Sequence, residues 1–251
     1  MTMKYKTYSS EIWQHIEKNI ELVLKQQLNP VAAFDADGTL WDTDLGENFF
    51  QYLIDQKLVE LPKNPWTYYQ NLKTKNNDPR DAYLWLAQIC QGNDLTTIHN
   101  WAKKAVEDKM SIPIFDEQKR LVEFLLKKNI QIYIVTASVK WAVEPGAELL
   151  GLSKDNVIGV ETEVIENKIT EIQKGIITYK QGKVDALLQK TKEIYPFFAS
   201  GNTMGDFNLL CSATHVSLAV SAASRDDKLF RTEDDLQNEA RAKNWLHHRF
   251  V

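Results

Sequence analysis

Hydrophobic residues near the start of the chain recur at helical spacing and then give way to a run that is apolar throughout. Ser9 and Ser10, which favour the first turn of a helix, precede the apolar positions Trp13, Ile16, Ile20, Val23 and Leu24, and Pro30 follows them. This spacing predicts an amphipathic helix that ends before Pro30. Residues 31–34 are all apolar, which is typical of a strand buried on both faces of a parallel sheet.

A similar alternation of helical and extended patterns fills the chain beyond Pro113. It predicts, in order, a helix over 117–128, a strand over 130–135 that ends at Thr136, a helix to Leu150, a β-excursion over 157–179, a helix from Lys183, a strand over 197–200, a helix after Asp206 and a strand over 215–220. Strands and helices that take turns indicate an α/β fold with a doubly wound, Rossmann-like parallel sheet.

The segment 45–115 has a different character from the rest of the chain. Its periodicity is helical, it is rich in aromatic residues, and it contains turn signals such as Leu61-Pro62 and Asp78-Pro79. We therefore expect two domains, namely an α/β core formed by 1–44 and 116–251 and a mainly helical domain inserted at 45–115.

Composition and charge exclude several classes of partner. The 251 residues carry a formal net charge of -4, and no basic run of the kind that binds nucleic acid occurs. Charges interrupt the N-terminal stretch, and no segment reaches the ~18 apolar residues of a membrane span, which predicts a cytoplasmic protein without membrane partners. We expect Cys90 and Cys211 to be buried thiols, and His247 and His248 to be solvated surface residues.

Four polar clusters follow predicted strands or begin a predicted helix, where open α/β sheets place reactive groups. They are the run Asp35–Thr39, the run Thr136–Ser138, Lys183, and the loop 200–208 with Asn202 and Asp206. Two carboxylates at i and i+2 can point into one crevice, a hydroxyl can donate to a phosphoryl oxygen, and the oxygens of the last cluster suit a hard cation. Each cluster alone also fits an ordinary turn, a solvated lysine or a helix cap.

In this order, Asp-x-Asp-Gly-Thr, Thr, Lys and Gly-Asn-x-x-Gly-Asp resemble the four motifs of the haloacid dehalogenase-like superfamily. The likeness covers nearly the whole chain, and the insert 45–115 resembles the helical cap of the phosphoserine phosphatase-like branch. The resemblance implies a phosphatase in which Asp35 attacks phosphorus to form an aspartyl-phosphate. Asp37 would protonate the leaving alkoxide and then activate water.

The resemblance also implies a Mg²⁺ site and a phosphate site. Mg²⁺ would be held by Asp35, the main-chain carbonyl of Asp37, Asn202 and Asp206. Thr136 and Lys183 would neutralise and orient the phosphoryl oxygens, with Ala137 and Ser138 also in the substrate site. Because relatives carry a carboxylate at the position of Asn202, we expect weaker Mg²⁺ binding here and tighter binding in an Asn202→Asp variant.

The expected partner is a small phosphate ester. Trp41 and Trp141 follow the first and second motifs, and aromatic faces attract quaternary ammonium groups, so Trp41 is assigned to the substrate, and phosphocholine or phosphoethanolamine is the suggested class. Phosphoserine is disfavoured, since Arg80 is the only arginine that the insert offers for its carboxylate. A phosphotransferase of the same fold, or a catalytically silent binding protein, remains an alternative.

Overall fold

The computed structural model describes residues 5–26, 29–108 and 112–251. Ten α-helices and seven strands lie within these residues. The helices are α1 (Ser10–Gln26), α2 (Leu45–Asp55), α3 (Pro65–Thr74), α4 (Arg80–Gln88), α5 (Leu95–Glu107), α6 (Asp116–Lys127), α7 (Lys140–Leu149), α8 (Gln181–Thr191), α9 (Phe207–Ser212) and α10 (Phe230–Ala242). The strands are β1 (Val31–Phe34), β2 (Gln131–Val139), β3 (Val157–Ile165), β4 (Lys168–Lys174), β5 (Phe198–Gly201), β6 (Val216–Ser221) and β7 (Leu246–Arg249), in the sheet order β4-β3-β2-β1-β5-β6-β7. The α/β prediction is confirmed.

The chain divides into two compact units. Unit 1 contains the described residues of 1–43, 113–135 and 180–251, and unit 2 contains those of 44–112 and 136–179. The helices α2 to α5 of the expected insert thus share a unit with α7, β3 and β4. A cap domain with the bounds 45–115 stays a prediction, and its residues 109–111 lie outside the described part of the chain.

Unit 1 is built on parallel strands. β1 pairs in parallel with β2 on one side and with β5 on the other, and Phe34 at its end aligns with Ile134 and Ser200. β5, β6 and β7 continue the parallel ladder. Because these strands run the same way, the residues that follow β1 and β5 leave the sheet at the same edge. The main-chain N–H of Asp35 donates to the carbonyl of Ser200 at 2.8 Å, which ties the two exits together.

Unit 2 packs helices around an aromatic core and carries the antiparallel β3–β4 hairpin that the sequence predicts as a β-excursion. Phe50 meets Trp66, Tyr69 and Trp85 edge to face, with ring centroids 4.9, 5.7 and 5.5 Å away. This geometry is favourable for aromatic pairs inside a core. Most of the aromatic enrichment of this segment therefore serves packing.

The prediction that β2 ends at Thr136 is wrong, because the strand continues to Val139. Its neighbour on that side of the sheet is β3. Gly159 of β3 approaches so closely that a Cβ placed there would stand 2.9 Å from the carbonyl oxygen of Ser138. Pairing with β3 thus extends the strand beyond the point where its apolar run stops.

The last part of the chain is more ordered than the sequence analysis expects. Helix α10 and strand β7 are additional elements, and β7 contains both His247 and His248. His248 is half-buried, with its ring 4.8 Å from those of Tyr8 and Phe250, so its assignment to the solvated surface is wrong. The cysteine prediction is wrong for Cys211, which lies exposed on the short helix α9.

Among the described helices, none combines the length and the apolar character needed to cross a membrane.

Candidate active site

A buried lysine joins two buried carboxylates in unit 1. Lys183, in the first turn of α8, donates from Nζ to Oδ1 of Asp35 and to Oδ1 of Asp206, each at 2.6 Å. The side chains of Lys183, Asp35 and Asp206 are 2%, 8% and 2% exposed. Charged groups this deeply buried are found almost only when they are paired. Three of the four motifs predicted from the sequence therefore meet at one point.

The cluster of Asp35, Asp206 and Lys183 has one more negative charge than positive charges. Burial and the nearby Asp206 raise the pKa of Asp35 to about 6, although the ammonium of Lys183 and the hydroxyl of Thr39 act in the opposite direction. For Lys183, burial lowers the pKa, but the attraction of Asp206 and Asp35 outweighs it, so the pKa lies well above its ordinary value. The surplus negative charge favours binding of a further cation.

The carboxylate of Asp37 is oriented by a tryptophan. The indole Nε1 of Trp41 donates to Oδ1 of Asp37 at 2.8 Å, and Trp41 itself is fully buried. Residues 38–41 form a turn in which the N–H of Gly38 donates to the carbonyl of Trp41, at a Gly38 φ of 76°. Trp41 thus orients the carboxylate that the sequence assigns as acid and base. Its assignment to the substrate stays a prediction, and in the structure its ring faces are covered by protein.

Asn202 follows β5 and lies against the first motif. Its Oδ1 stands 3.2 Å from the hydroxyl of Thr39, and that hydroxyl also reaches Oδ2 of Asp35 at 2.8 Å. A hydroxyl has one proton and can donate it to one acceptor, and the nearer, charged carboxylate of Asp35 is the better acceptor. Oδ1 of Asn202 therefore keeps lone pairs for another partner. The approach is close, because a Cβ on Gly38 would stand 2.1 Å from Nδ2 of Asn202.

The other end of the Asn202 amide reveals a residue that the sequence analysis misses. Nδ2 donates to Oε1 of Glu233 on α10 at 3.0 Å, and Oε2 of Glu233 accepts from the main-chain N–H groups of Ala222 and Ala223 at 3.0 and 2.9 Å. Burial raises the pKa of Glu233, although these hydrogen bonds act against the shift. A glutamate near a C-terminus carries no motif, so only the fold brings it to this place.

The fourth motif forms a tight loop around Asp206. Its Oδ2 accepts from the N–H groups of Asn202 and Thr203 at 3.2 and 3.0 Å, while Oδ1 faces Lys183. A Cβ on Gly201 would stand 2.4 Å from Cβ of Asp206, so the loop needs a glycine there. The glycine that opens the motif thus has a steric cause.

Thr136, Ala137 and Ser138 belong to unit 2 and follow directly after Val135, the last residue of β2 in unit 1. Thr136 is buried, its carbonyl accepts from the hydroxyl of Thr178, and its own hydroxyl accepts from the N–H of Ser138 at 3.1 Å. A hydroxyl that accepts in this way keeps its proton for a further acceptor. The substrate role of Thr136, Ala137 and Ser138 stays a prediction.

The geometry agrees with a comparison against known families. A family model described as haloacid dehalogenase-like hydrolase matches residues 32–210, more than half of the chain. The chain belongs to the haloacid dehalogenase-like hydrolases. The family predicted from the four motifs is confirmed, and the matched segment includes all of them.

Individual relatives of this haloacid dehalogenase-like protein are distant. A phosphorylcholine phosphatase of Pseudomonas aeruginosa is 22% identical over 206 residues, which cover 66% of this chain and 58% of that protein. The chain therefore spans a little more than half of that relative's length.

Solved structures share the fold at low identity. A protein of unknown function from Anaerococcus prevotii has a TM-score of 0.75 at 16% identity, and the match covers 100% of this chain and 97% of that one. A second such protein, from Bordetella pertussis, has a TM-score of 0.72 at 17% identity, covering 88% and 99%. A phosphoserine phosphohydrolase-like protein from Francisella tularensis has a TM-score of 0.52 at 21% identity, covering 77% and 87%.

The donor set fits the hard divalent cation that the family resemblance implies. No group of three or more His, Cys, Asp or Glu side chains that could hold a metal occurs among the described residues. The site in unit 1 instead offers two carboxylates and an amide oxygen with lone pairs to spare, from Asp35, Asp206 and Asn202. Mg²⁺ is commonly bound through one or two carboxylates, with other oxygens and substrate phosphate completing its coordination. Oxygen-only donors and a surplus negative charge therefore match this ion.

Proposed function

We propose that this protein is a magnesium-dependent phosphomonoesterase in which Asp35 is the nucleophile. The observation that carries the proposal is the pair of hydrogen bonds at the end of β1. Oδ1 of Asp35 is fixed by Lys183 at 2.6 Å and Oδ2 by Thr39 at 2.8 Å. A carboxylate that cannot rotate presents its remaining lone pairs in one direction, which is the preorganisation that nucleophilic catalysis needs.

In the first step, a carboxylate oxygen of Asp35 forms a bond to phosphorus as the bond to the ester oxygen breaks. Asp37 gives its proton to that leaving oxygen, and the indole of Trp41 keeps the carboxyl in place. In the second step, Asp37 takes a proton from a water molecule while the oxygen of that water attacks phosphorus. The bond from phosphorus to Asp35 then breaks, and inorganic phosphate leaves.

The remaining residues would neutralise the negative charge of the phosphate or donate hydrogen bonds to it. Lys183 holds a positive charge beside Asp35 throughout, and the hydroxyl of Thr136 keeps a proton that a phosphoryl oxygen could accept. Asp35, Asp206, Asn202 and the carbonyl of Asp37 would hold Mg²⁺, which when bound neutralises phosphate charge next to the attacking carboxylate.

The test is hydrolysis of p-nitrophenyl phosphate by wild type, Asp35→Asn and Asp37→Asn, with Mg²⁺ and with EDTA. We expect no measurable turnover for Asp35→Asn, a loss of about 10²–10⁴-fold for Asp37→Asn, and no turnover in EDTA. Asp226→Asn, an exposed position of the same unit, is the control and should be fully active. Full activity of folded Asp35→Asn, or activity in EDTA, would contradict the proposal.

For the substrate, we propose an ester whose alcohol carries an ammonium group, such as phosphocholine or phosphoethanolamine. In unit 2 the ammonium of Lys73 lies 5.1 and 6.0 Å from the ring centroids of Tyr69 and Tyr83, and 2.8 Å from Oε1 of Glu47. Unit 2 thus holds the ammonium of its own Lys73 by cation–π contact and ion pairing, the interactions that an ammonium-bearing substrate would use. The similarity to a phosphorylcholine phosphatase supports the same class.

Phosphoserine is a poorer candidate. Arg80 is exposed and its guanidinium is paired with Asp78 two residues earlier, so its charge is already matched within its own turn. A panel of choline, ethanolamine, serine and p-nitrophenyl phosphates, compared by kcat/KM, separates these classes. We expect choline or ethanolamine phosphate to lead. Serine phosphate as the best substrate would refute this assignment.

A further inference from the structure

Glu233 is a buried carboxylate that accepts hydrogen bonds from the fourth motif and from the residues that follow β6. It is 2% exposed. One oxygen accepts from Nδ2 of Asn202 at 3.0 Å, and the other from the N–H groups of Ala222 and Ala223. Its neighbour Thr232 accepts from the N–H of Met204 at 3.1 Å, so the first turn of α10 holds the loop at two points.

These contacts decide how the amide of Asn202 is turned. A carboxylate only accepts hydrogen bonds, so the NH₂ end of Asn202 must face Glu233. The oxygen end must then face the opposite way, where Oδ1 lies 3.2 Å from Oγ1 of Thr39 beside Asp35. Reversing the amide would leave Glu233 opposite a carbonyl oxygen and aim an N–H pair at the proposed cation site.

We propose that Glu233 is a positioning residue for the cation site and forms an acid–amide pair with Asn202. The acid of this pair lies one hydrogen bond further from the cation than a carboxylate at position 202 would. The cation part of this inference rests on the proposed function, whereas the pairing itself does not. The pair explains why residue 202 is an amide: a carboxylate there would face Glu233 at hydrogen-bond distance in a buried site, where like charges repel strongly.

The acid–amide pair predicts a different outcome for Asn202→Asp than the motif alone. As a single change, it puts a second carboxylate where Nδ2 now lies 3.0 Å from Oε1 of Glu233. The repulsion between the two carboxylates should offset the gain in Mg²⁺ affinity from the added charge. Combined with Glu233→Gln, the polarity of the pair is exchanged. The amide oxygen of a glutamine at position 233 can accept from Ala222 and Ala223, and its NH₂ can donate to the new carboxylate at position 202, so every hydrogen bond is kept.

The test compares wild type, N202D, E233Q and the double variant N202D/E233Q, with Asp235→Asn on the exposed side of α10 as the control. The first readout is the urea midpoint of the metal-free proteins in EDTA. We expect N202D to unfold at lower urea than wild type, and the double variant to recover most of that loss. The second readout is the Kd for Mg²⁺ by titration calorimetry. E233Q should bind about 10–100-fold more weakly than wild type, the range typical of residues that orient metal ligands, and the double variant more tightly than wild type.

The kinetic parameters separate positioning from general damage. At saturating Mg²⁺, E233Q should regain kcat with KM for p-nitrophenyl phosphate unchanged, which loss of folded protein would not produce. The inference is overturned if metal-free N202D is as stable as wild type, or if the double variant is no more stable than N202D. If no variant binds Mg²⁺, wild type included, the proposed function fails while the urea comparison still decides the pairing.

Discussion

Removing the charge of Lys183 should destabilise the protein through repulsion between the two acids that it joins. Oδ1 of Asp35 and Oδ1 of Asp206 each lie 2.6 Å from Nζ of Lys183, so they are no more than about 5 Å apart. Two unit charges at that distance repel by about 3 kcal/mol at an effective dielectric constant near 20. Lys183→Met keeps the length of the side chain and leaves this repulsion uncompensated, and breaking a buried pair typically costs about 3–5 kcal/mol.

A second change should recover part of this loss. In Lys183→Met/Asp206→Asn only one acid remains charged. The oxygen of an asparagine at position 206 can still accept from the N–H groups of Asn202 and Thr203. Because the repulsion of about 3 kcal/mol is removed, the double variant should be more stable than Lys183→Met, although it carries one further substitution.

Urea unfolding in EDTA measures these free energies without metal. Lys190→Met, an exposed position of the same helix, is the matched control and should change the unfolding free energy by less than about 0.5 kcal/mol. If Asp206→Asn lowers stability equally in wild type and in Lys183→Met, the two acids do not repel each other and the electrostatic reasoning is refuted.

Three further outcomes follow from the contacts around the site and elsewhere. Trp41→Phe removes the donor to Asp37 and should lower kcat about tenfold with little change in KM, the cost of roughly one hydrogen bond; unchanged kcat would contradict the orienting role. Burial raises the pKa of Cys90 to about 12, so Ellman's reagent at pH 8 should label the exposed Cys211 alone in the native protein and both thiols in urea. Burial lowers the pKa of His248 below its ordinary 6.5, so below about pH 6.5 the unfolded chain binds more protons at this residue than the folded protein does. The free energy of unfolding should therefore fall as the pH falls below about 6.5, and less steeply in His248→Gln.

The sequence predicts the features that depend on neighbouring residues. The apolar run of β1 and the glycines of the fourth motif are local signals, and the structure places a strand and a tight loop at these positions. The approach of Asp35 and Asp206 is not local, yet it follows from the parallel sheet, because β1 and β5 end at the same edge. Lys183 lies in the first turn of α8, and its place beside them is expected from the resemblance of the motifs. Fold class and the main cluster could therefore be predicted from one chain.

Features that depend on tertiary partners could not be predicted in this way. The buried face of α10 includes Glu233 and Gln237 beside Leu236 and Ala240, so half of its core positions are polar and the helical stripe is weak. Gln237 donates to the main-chain carbonyl of Ala219 at 3.1 Å, and Glu233 serves the residues after β6. In the sequence alone, polar residues at such positions are indistinguishable from surface residues, because the strand residues that they hydrogen-bond are distant along the chain. The extension of β2 has the same origin, because it depends on β3.

The pairing of an amide at position 202 with an acid at position 233 sets the charge of the whole site. With Asn202 neutral, the charged side chains that could touch a cation are those of Asp35 and Asp206, and Lys183 offsets one of their two charges. The charge of Glu233 remains nearby but reaches the site only through the amide that it polarises. A bound cation is therefore held less strongly than it would be with a third carboxylate in direct contact. The amide oxygen is nevertheless a better cation ligand because the NH₂ of the same amide is hydrogen-bonded to an anion. The affinity of the site for a cation should therefore depend on the charge of Glu233 and on its contact with Asn202.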